Sequence, residues 1–109
     1  MRVRERNGMW LLTMFDLPST SASMRRNYSR FRKCLLQRGF EMRQKSVYLR
    51  WEDTVSAADS TSRWVLANAP SEGRVSVMKL TSRTMNNVSL LTDREKEPPP
   101  KIPDEFLVC

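Results

Sequence analysis

The sequence contains no histidine, and this absence excludes several kinds of functional site. Serine–histidine triads, histidine zinc sites and acid–base catalysis by imidazole all require that residue. The two cysteines, Cys34 and Cys109, lie far apart and lack the spacing of metal ligands. Any chemistry must therefore depend on carboxylates, hydroxyls, arginine or lysine, together with a metal ion.

Long apolar segments are also missing. The longest, residues 9–15, is far shorter than the roughly 20 residues of a membrane helix, and Thr13 interrupts it. The basic first residues lead into an apolar stretch that is too short for a signal peptide. Because the cysteine content also fits a reducing compartment, we expect a cytoplasmic protein without membrane association. A chain of 109 residues with 39% hydrophobic residues is predicted to form one compact domain.

Basic residues are concentrated in the first half of the chain. Residues 1–50 carry twelve Lys and Arg against three Asp and Glu, a net charge of +9, whereas residues 51–109 have a net charge of −2. Ten of those twelve residues are arginines, whose planar guanidinium groups bind phosphate in a bidentate manner. Such a surface is typical of nucleic-acid binding, although a merely solubilising surface has the same composition.

The first half of the chain predicts a strand followed by a helix. Residues 9–17 are apolar on both faces, as in a central strand. Serine and threonine at residues 19–23 then offer several N-caps for a basic amphipathic helix, which Gly39 ends. The apolar stripe of this helix comprises Met24, Tyr28, Phe31 and Leu35.

The second half predicts further strands around a second helix. Residues 40–51 are interpreted as one long strand, bent or bulged near Gln44, and Asp53 or Thr54 caps the helix. Residues 74–81 and 85–91 are predicted strands. We assign the α+β class: a ferredoxin-like βαββαβ-type sandwich, with an antiparallel sheet, two helices on one face and an added C-terminal edge strand.

The domain organisation follows from changes in composition. We predict a basic mobile leader over residues 1–8, the ferredoxin-like domain over residues 9–91, and a charged, proline-rich spacer with a C-terminal strand over residues 92–109. The apolar residues 106–109 are too few for a core of their own, so they either fray or add a strand to the edge of another sheet. We expect the added strand, on a partner protein.

Three short stretches together resemble a known family. They are FDLP at residues 15–18, RKCLLQRGF at residues 32–40 and QKSVYLR at residues 44–50. In combination they resemble the CRISPR-associated protein 2 family, the small partner of the CRISPR integrase in spacer acquisition. The similarity extends from Trp10 to about Leu91, which is most of the chain.

The resemblance implies a symmetric homodimer in which Asp16 of each protomer faces the other. In some members of the family this pair binds Mg²⁺ or Mn²⁺ and supports cleavage of RNA or double-stranded DNA. In others the dimer is an architectural DNA-binding adaptor without catalysis, held between integrase subunits. Asp16 is accordingly the candidate catalytic and metal-binding residue. Its alternative role is structural, because an aspartate before Leu17-Pro18 also favours a turn.

The resemblance also implies further site residues. Arg25 and Arg26 lie close to positions where the family binds phosphate, and Arg30 adds positive charge to the same helix. Phe15, Ser46 and Tyr48 are expected at the cleft or the dimer seam, with core packing as the alternative role of Phe15. Ser46 and Tyr48 are candidates on the resemblance alone, whereas Phe15 is considered because it is next to Asp16 in the strand.

Two other functions compete with this interpretation. A toxin-type ribonuclease would share the fold and the aspartate at the strand end. An RNA-recognition motif would share the sheet, but the strands at residues 44–51 and 74–81 lack its aromatic signature.

Overall fold

The computed structural model describes residues 8–89, 91–92, 95–96 and 98–103. Residues 1–7 of the predicted leader and the strand predicted at residues 106–109 lie outside these residues. The main elements are strands β1 (Met9–Asp16), β2 (Glu41–Gln44), β3 (Val47–Glu52) and β4 (Arg74–Leu80), and helices α1 (Ala22–Gln37) and α2 (Val55–Ala67). They are followed by the short helix α3 (Ser82–Met85) and the two-residue strands β5 (Leu91–Thr92) and β6 (Glu95–Lys96).

The first six elements have the order β-α-β-β-α-β. Their strands form one antiparallel sheet in the order β2-β3-β1-β4, with β1 and β3 in the centre. Phe31 and Leu35 of α1 and Val65 of α2 share a core cluster with Leu11 of β1. Both helices therefore lie on one face of the sheet, and the predicted ferredoxin-like α+β fold is confirmed. The opposite face, called the open face below, carries Trp10 and the other even-numbered residues of β1.

Local signals determine both helices as expected. The Ser21 side chain accepts a hydrogen bond from the Met24 amide at 3.1 Å, and that of Thr54 accepts one from the Ala57 amide at 3.0 Å. Each bond satisfies an amide that the first turn of a helix leaves without a partner. Gly39 follows α1 with φ +98°, a conformation that glycine adopts without steric cost.

The prediction of one long strand over residues 40–51 is wrong. The segment forms a hairpin, in which β2 and β3 pair around Lys45 and Ser46. Ser46 reverses the chain by adopting φ +66°. The pattern of alternating side chains is the same in two short strands as in one long strand, so it did not reveal this turn. The irregularity expected near Gln44 is confirmed as a shift in register between Met42 and Gln44.

The strand predicted over residues 85–91 is wrong for residues 85–89, whereas Leu91 does lie in a strand, β5. The Thr81 side chain accepts a hydrogen bond from the Thr84 amide at 3.1 Å and so begins α3. Met85 at the end of this helix is buried against Trp10 and Trp51 on the open face. N-capping and this burial outweigh the weak strand propensity of a segment that contains two asparagines.

Among the described residues, the open face is most closely covered at one end. Met85 of α3 and Ile102 pack against a cluster containing Trp10, Leu49 and Trp51. The two tryptophan rings meet edge to face, with their centroids 5.2 Å apart. Toward Asp16 the face remains partly accessible, and Met78 is 43% exposed. Within the described residues, no helix has the length and apolar character that crossing a membrane requires.

Candidate functional site at the end of β1

Asp16 is the last residue of β1, and its side chain is exposed. It belongs to the open face, since it alternates with Leu12 and Met14 along the strand. Its partner across the sheet is Arg74, the first residue of β4. No described residue forms an ion pair with the Asp16 carboxylate. The carboxylate is therefore accessible to a ligand.

Gly73 positions β4 beneath Asp16. It adopts φ +92°, and a Cβ atom at this residue would lie 2.6 Å from the backbone oxygen of Asp16 and 2.9 Å from the Leu17 side chain. Only glycine combines this backbone conformation with such a close approach. The strand carrying Arg74 thus meets β1 closely because its preceding residue has no side chain.

We expect Gly73→Ala to lower the free energy of unfolding by about 1–3 kcal/mol, because it adds backbone strain and a contact with the Asp16 backbone. Gly39→Ala is the matched control. Gly39 also has a positive φ, but its added Cβ would meet the guanidinium of Arg50, the end of a flexible side chain. Urea unfolding of the two variants should therefore show the larger loss for Gly73→Ala. Equal losses would mean that the contact with Asp16 adds nothing to the strain.

The other side of Asp16 is bounded by the turn between β2 and β3. The Phe15 amide donates a hydrogen bond to the Ser46 backbone oxygen at 3.1 Å. The hydroxyls of Ser46 and Tyr28 also lie 3.1 Å apart, within hydrogen-bond distance. These contacts join the end of β1, the turn and α1. The left-handed φ of Ser46 is unfavourable for a residue with a side chain, so tertiary contacts of this kind must maintain it.

A cleft of about 460 Å³ lies between these elements. Asp16 and Phe15 form one wall, and Ser46 lies in the turn opposite α1. Arg25 enters the cleft from α1, and its guanidinium donates a hydrogen bond to the Ser19 backbone oxygen at 3.2 Å. The cleft is lined by Phe15, Asp16, Leu17, Ser19, Arg25, Tyr28, Ser29, Lys45 and Ser46.

Arg26 and Arg30 lie beside the cleft rather than in it. With Arg25 and Lys33 they line an exposed groove along α1. Because Arg25 belongs to both the groove and the cleft, positive charge continues from the helix surface to Asp16.

Other basic residues of the first half are engaged elsewhere. The Arg38 guanidinium lies 4.7 Å from the centre of the Trp64 ring and donates a hydrogen bond to the Thr61 hydroxyl at 3.4 Å. The Arg50 Nε is 2.8 Å from a carboxylate oxygen of the buried Glu52. The basic groove on α1, at Arg25, Arg26, Arg30 and Lys33, therefore contains none of these engaged residues.

Two of the three predicted cleft residues line the cleft. Phe15 does so while also packing in the core, edge to face with Tyr28 and Phe31. Tyr48 instead lies in the core of its own chain, where it is completely buried and stacked on the Phe15 ring at 5.6 Å. It supports the cleft from beneath, and its side chain offers no surface to a partner.

Sequence reasoning missed Tyr28, Lys45 and Arg74 as site residues. Tyr28 belongs to the apolar stripe of α1, and the spacing of apolar residues in a helix gives no information on the direction of its hydroxyl group. Lys45 lies inside the stretch QKSVYLR, but only the hairpin turn places it beside Asp16. Arg74 is distant in sequence, and no local signal connects it with Asp16.

The donor set for a metal is small. Among the described residues, no group of three or more Asp, Glu, Cys or His side chains is arranged to hold a metal ion. Mg²⁺ prefers six oxygen ligands and commonly retains waters, so one carboxylate is a weak site by itself. Asp16 fits such an ion only if phosphate, water or a second protein carboxylate completes the coordination.

Comparison with known proteins extends these observations. The family described as "CRISPR associated protein Cas2" matches residues 9–88. A protein of Paracidovorax avenae is 35% identical over 98 residues, covering 90% of this chain and 91% of the relative. One of Parvibaculum lavamentivorans is 32% identical, covering 90% and 97%, and one of Acidovorax ebreus is 42% identical, covering 76% and 81%. All three bear the name CRISPR-associated endoribonuclease Cas2.

Proposed function

Because this chain belongs to the CRISPR-associated Cas2 family, we propose that it is a homodimeric nucleic-acid-binding subunit of CRISPR spacer acquisition with metal-dependent endonuclease activity. Its ligands are the phosphodiester backbones of double-stranded DNA and RNA. Its protein partner is the CRISPR integrase subunit. The family membership supports the CRISPR role, and the geometry around Asp16 supports the chemistry.

The observation that carries the proposal is the separation of charge at the end of β1. The Asp16 carboxylate is exposed and forms no ion pair with a described residue, although Arg25, Lys45 and Arg74 line the same clefts. Cations that do not neutralise the carboxylate are available for phosphate. The carboxylate is in turn available for a divalent cation. A phosphodiester and a metal ion can thus be bound side by side.

The homodimer supplies the second carboxylate. A two-fold axis through the open face would bring the Asp16 carboxylates of two protomers together, so no other acidic residue of the chain is needed. The accessible part of this face, toward Asp16, carries the apolar side chains of Met14, Val47 and Met78. Covering such a patch gives association a hydrophobic driving force.

Each side chain has a role that follows from its place. Asp16 of each protomer would hold Mg²⁺ or Mn²⁺, and Arg25 would bind the phosphate next to it, with Arg26 and Arg30 extending the contact along the backbone. The metal, when bound, supplies a water of lowered pKa and neutralises charge on the phosphate. Since the chain has no histidine to act as general base, we expect slow cleavage that becomes faster at alkaline pH.

Binding to duplex DNA should depend strongly on salt and little on sequence. The basic groove on α1 presents arginines suited to phosphate, and no base-reading motif is recognisable. If the dimer neutralises about six phosphates, the logarithm of the affinity should fall with the logarithm of the salt concentration at a slope of about −5. Fluorescence anisotropy with labelled duplexes of unrelated sequence measures both properties.

The control for this measurement is a variant with Arg25, Arg26 and Arg30 replaced by glutamine. These side chains lie at the surface, so the variant should fold normally and have a shallower salt slope. A flat salt response of the unaltered protein, or a strong preference for one sequence, would contradict backbone recognition.

A further inference from the structure

We propose that Arg74 and Lys45 form a second phosphodiester-binding subsite, on the side of Asp16 that faces away from α1. The subsite deepens the proposed function and rests on it, because its ligand is the same nucleic-acid backbone that Arg25 contacts. Asp16 would then lie between two groups of phosphate-binding residues, one on each side.

The subsite is a groove of about 290 Å³ on the open-face side of the cleft. Arg74 and Ser76 of β4 form one side, and Lys45 lies on the other. Met14 and Val47 of the proposed dimer seam also line this groove, so the subsite lies at the margin of that seam. Four residues line both this groove and the cleft beside α1, so the two are continuous across the end of β1. They are Phe15, Asp16, Lys45 and Ser46.

The sheet register places Arg74 beside the carboxylate. Arg74 and Asp16 are cross-strand partners, and the side chains of such partners project from the same face. Both side chains are exposed, and no described residue forms an ion pair with either one. The Arg74 guanidinium is therefore available to an external anion.

Lys79 of the same strand shows the contrasting arrangement. Its ammonium group forms an ion pair with the Asp59 carboxylate of α2, on the helix face of the sheet. That carboxylate already occupies the lysine. β4 thus carries one engaged cation on the helix face and one available cation at the edge of the Asp16 cleft.

The turn between β2 and β3 holds Lys45 at the junction of the two grooves. The bond from the Phe15 amide to the Ser46 backbone oxygen ties the turn to β1, and the Ser46 hydroxyl contacts Tyr28. Lys45 itself is exposed. A lysine on a fixed backbone can contact phosphate on either side of Asp16.

The cross-strand geometry suits one continuous strand of nucleic acid. Partner Cα atoms in an antiparallel sheet lie only about 4.5–5.5 Å apart, and the arginine side chain is long. Arg74 can therefore contact a phosphate next to the one that Arg25 binds beside Asp16. The backbone would run from Arg25 over Asp16 to Arg74, which positions the intervening phosphodiester.

The test compares Arg74→Ala and Lys45→Ala with Lys79→Ala, which removes the same charge from the other face. Affinity for a labelled duplex of mixed sequence is measured by anisotropy in EDTA, over a series of salt concentrations. We expect Arg74→Ala and Lys45→Ala each to lose about tenfold in affinity, since contacts of charged groups are stronger than neutral ones. Each should also make the salt slope shallower by about 0.9. Lys79→Ala should lose less than about twofold, as a charge outside the contact surface does.

Arg74→Lys distinguishes the contribution of charge from that of packing. It keeps a cation at this residue, so its affinity for the duplex should be close to that of the unaltered protein. Equal losses for Arg74→Ala and Lys79→Ala, or an unchanged salt slope, would overturn the subsite. The measurement is made without metal, so its outcome does not depend on cleavage. A wild-type protein that fails to cleave would count against the proposed activity while the subsite is still decided by binding.

Discussion

Asp16→Asn is expected to reduce metal-dependent cleavage of RNA or duplex DNA by about 10³-fold or more. A catalytic metal contributes several kcal/mol to stabilising the transition state, and each 1.4 kcal/mol or so corresponds to a factor of ten in rate. Every protomer of the dimer would lose its carboxylate, so the site would lose both protein ligands together. The side chain is exposed, and the fold should therefore be unaffected.

The measurement compares cleavage of labelled substrates by purified proteins in Mg²⁺, Mn²⁺ and EDTA. Asp59→Asn is the matched control, because it makes the same substitution on α2, where Asp59 pairs with Lys79. The control should cleave like the unaltered protein. Duplex affinity of Asp16→Asn should be equal or higher, because a negative charge is removed from a phosphate-binding surface.

Three outcomes of this experiment have different meanings. Loss of cleavage in Asp16→Asn alone supports the metal-holding role. Undiminished cleavage in that variant would assign the activity to another residue or to a contaminant. An unaltered protein that binds duplex DNA but never cleaves would identify the architectural adaptor among the alternatives.

Met78→Glu is expected to weaken the proposed homodimer by about 100-fold or more. Met78 is 43% exposed on the open face and is the cross-strand partner of Leu12. A carboxylate placed in an apolar seam must lose its hydration without gaining a partner, which costs several kcal/mol. Sedimentation or light scattering across a dilution series measures the shift from dimer to monomer.

Leu66→Glu is the control for this second experiment. Leu66 is 52% exposed, but it lies on α2, on the far side of the sheet from the open face. The same change of chemistry there should leave the dimer intact. If Met78→Glu leaves the dimer intact, the interface must lie elsewhere on the protein. A mass of 12.8 kDa for the unaltered protein at micromolar concentration would contradict the dimer itself.

Loss of the dimer should also remove cleavage while sparing much of the binding. The two carboxylates of the proposed metal site would come from different protomers, whereas each protomer carries its own arginines on α1. A Met78→Glu variant that binds duplex DNA without cleaving it can thus be distinguished from an unfolded variant, which would do neither.

Much of the fold was predictable because its signals are local. The apolar run of β1 indicated a central strand, and the cap at Thr54 and the glycine at residue 39 bounded their helices as expected. The two wrong strand predictions arose where local patterns were ambiguous. Alternation over residues 40–51 does not show where a chain reverses, and Met85 became helical because it could be buried against Trp10 and Trp51.

Some features of the candidate site were likewise predictable from the sequence, and others were not. Composition and patterning alone determined the basic helix, the absence of histidine chemistry and the aspartate at the end of a buried strand, since each depends on neighbouring residues in the chain. Only the tertiary structure decided that Arg74 and Lys45 flank that aspartate and that Tyr48 is a core residue. The reason is that sheet register and turn geometry join segments that are far apart in sequence, and the free energy that selects them comes from packing the whole domain.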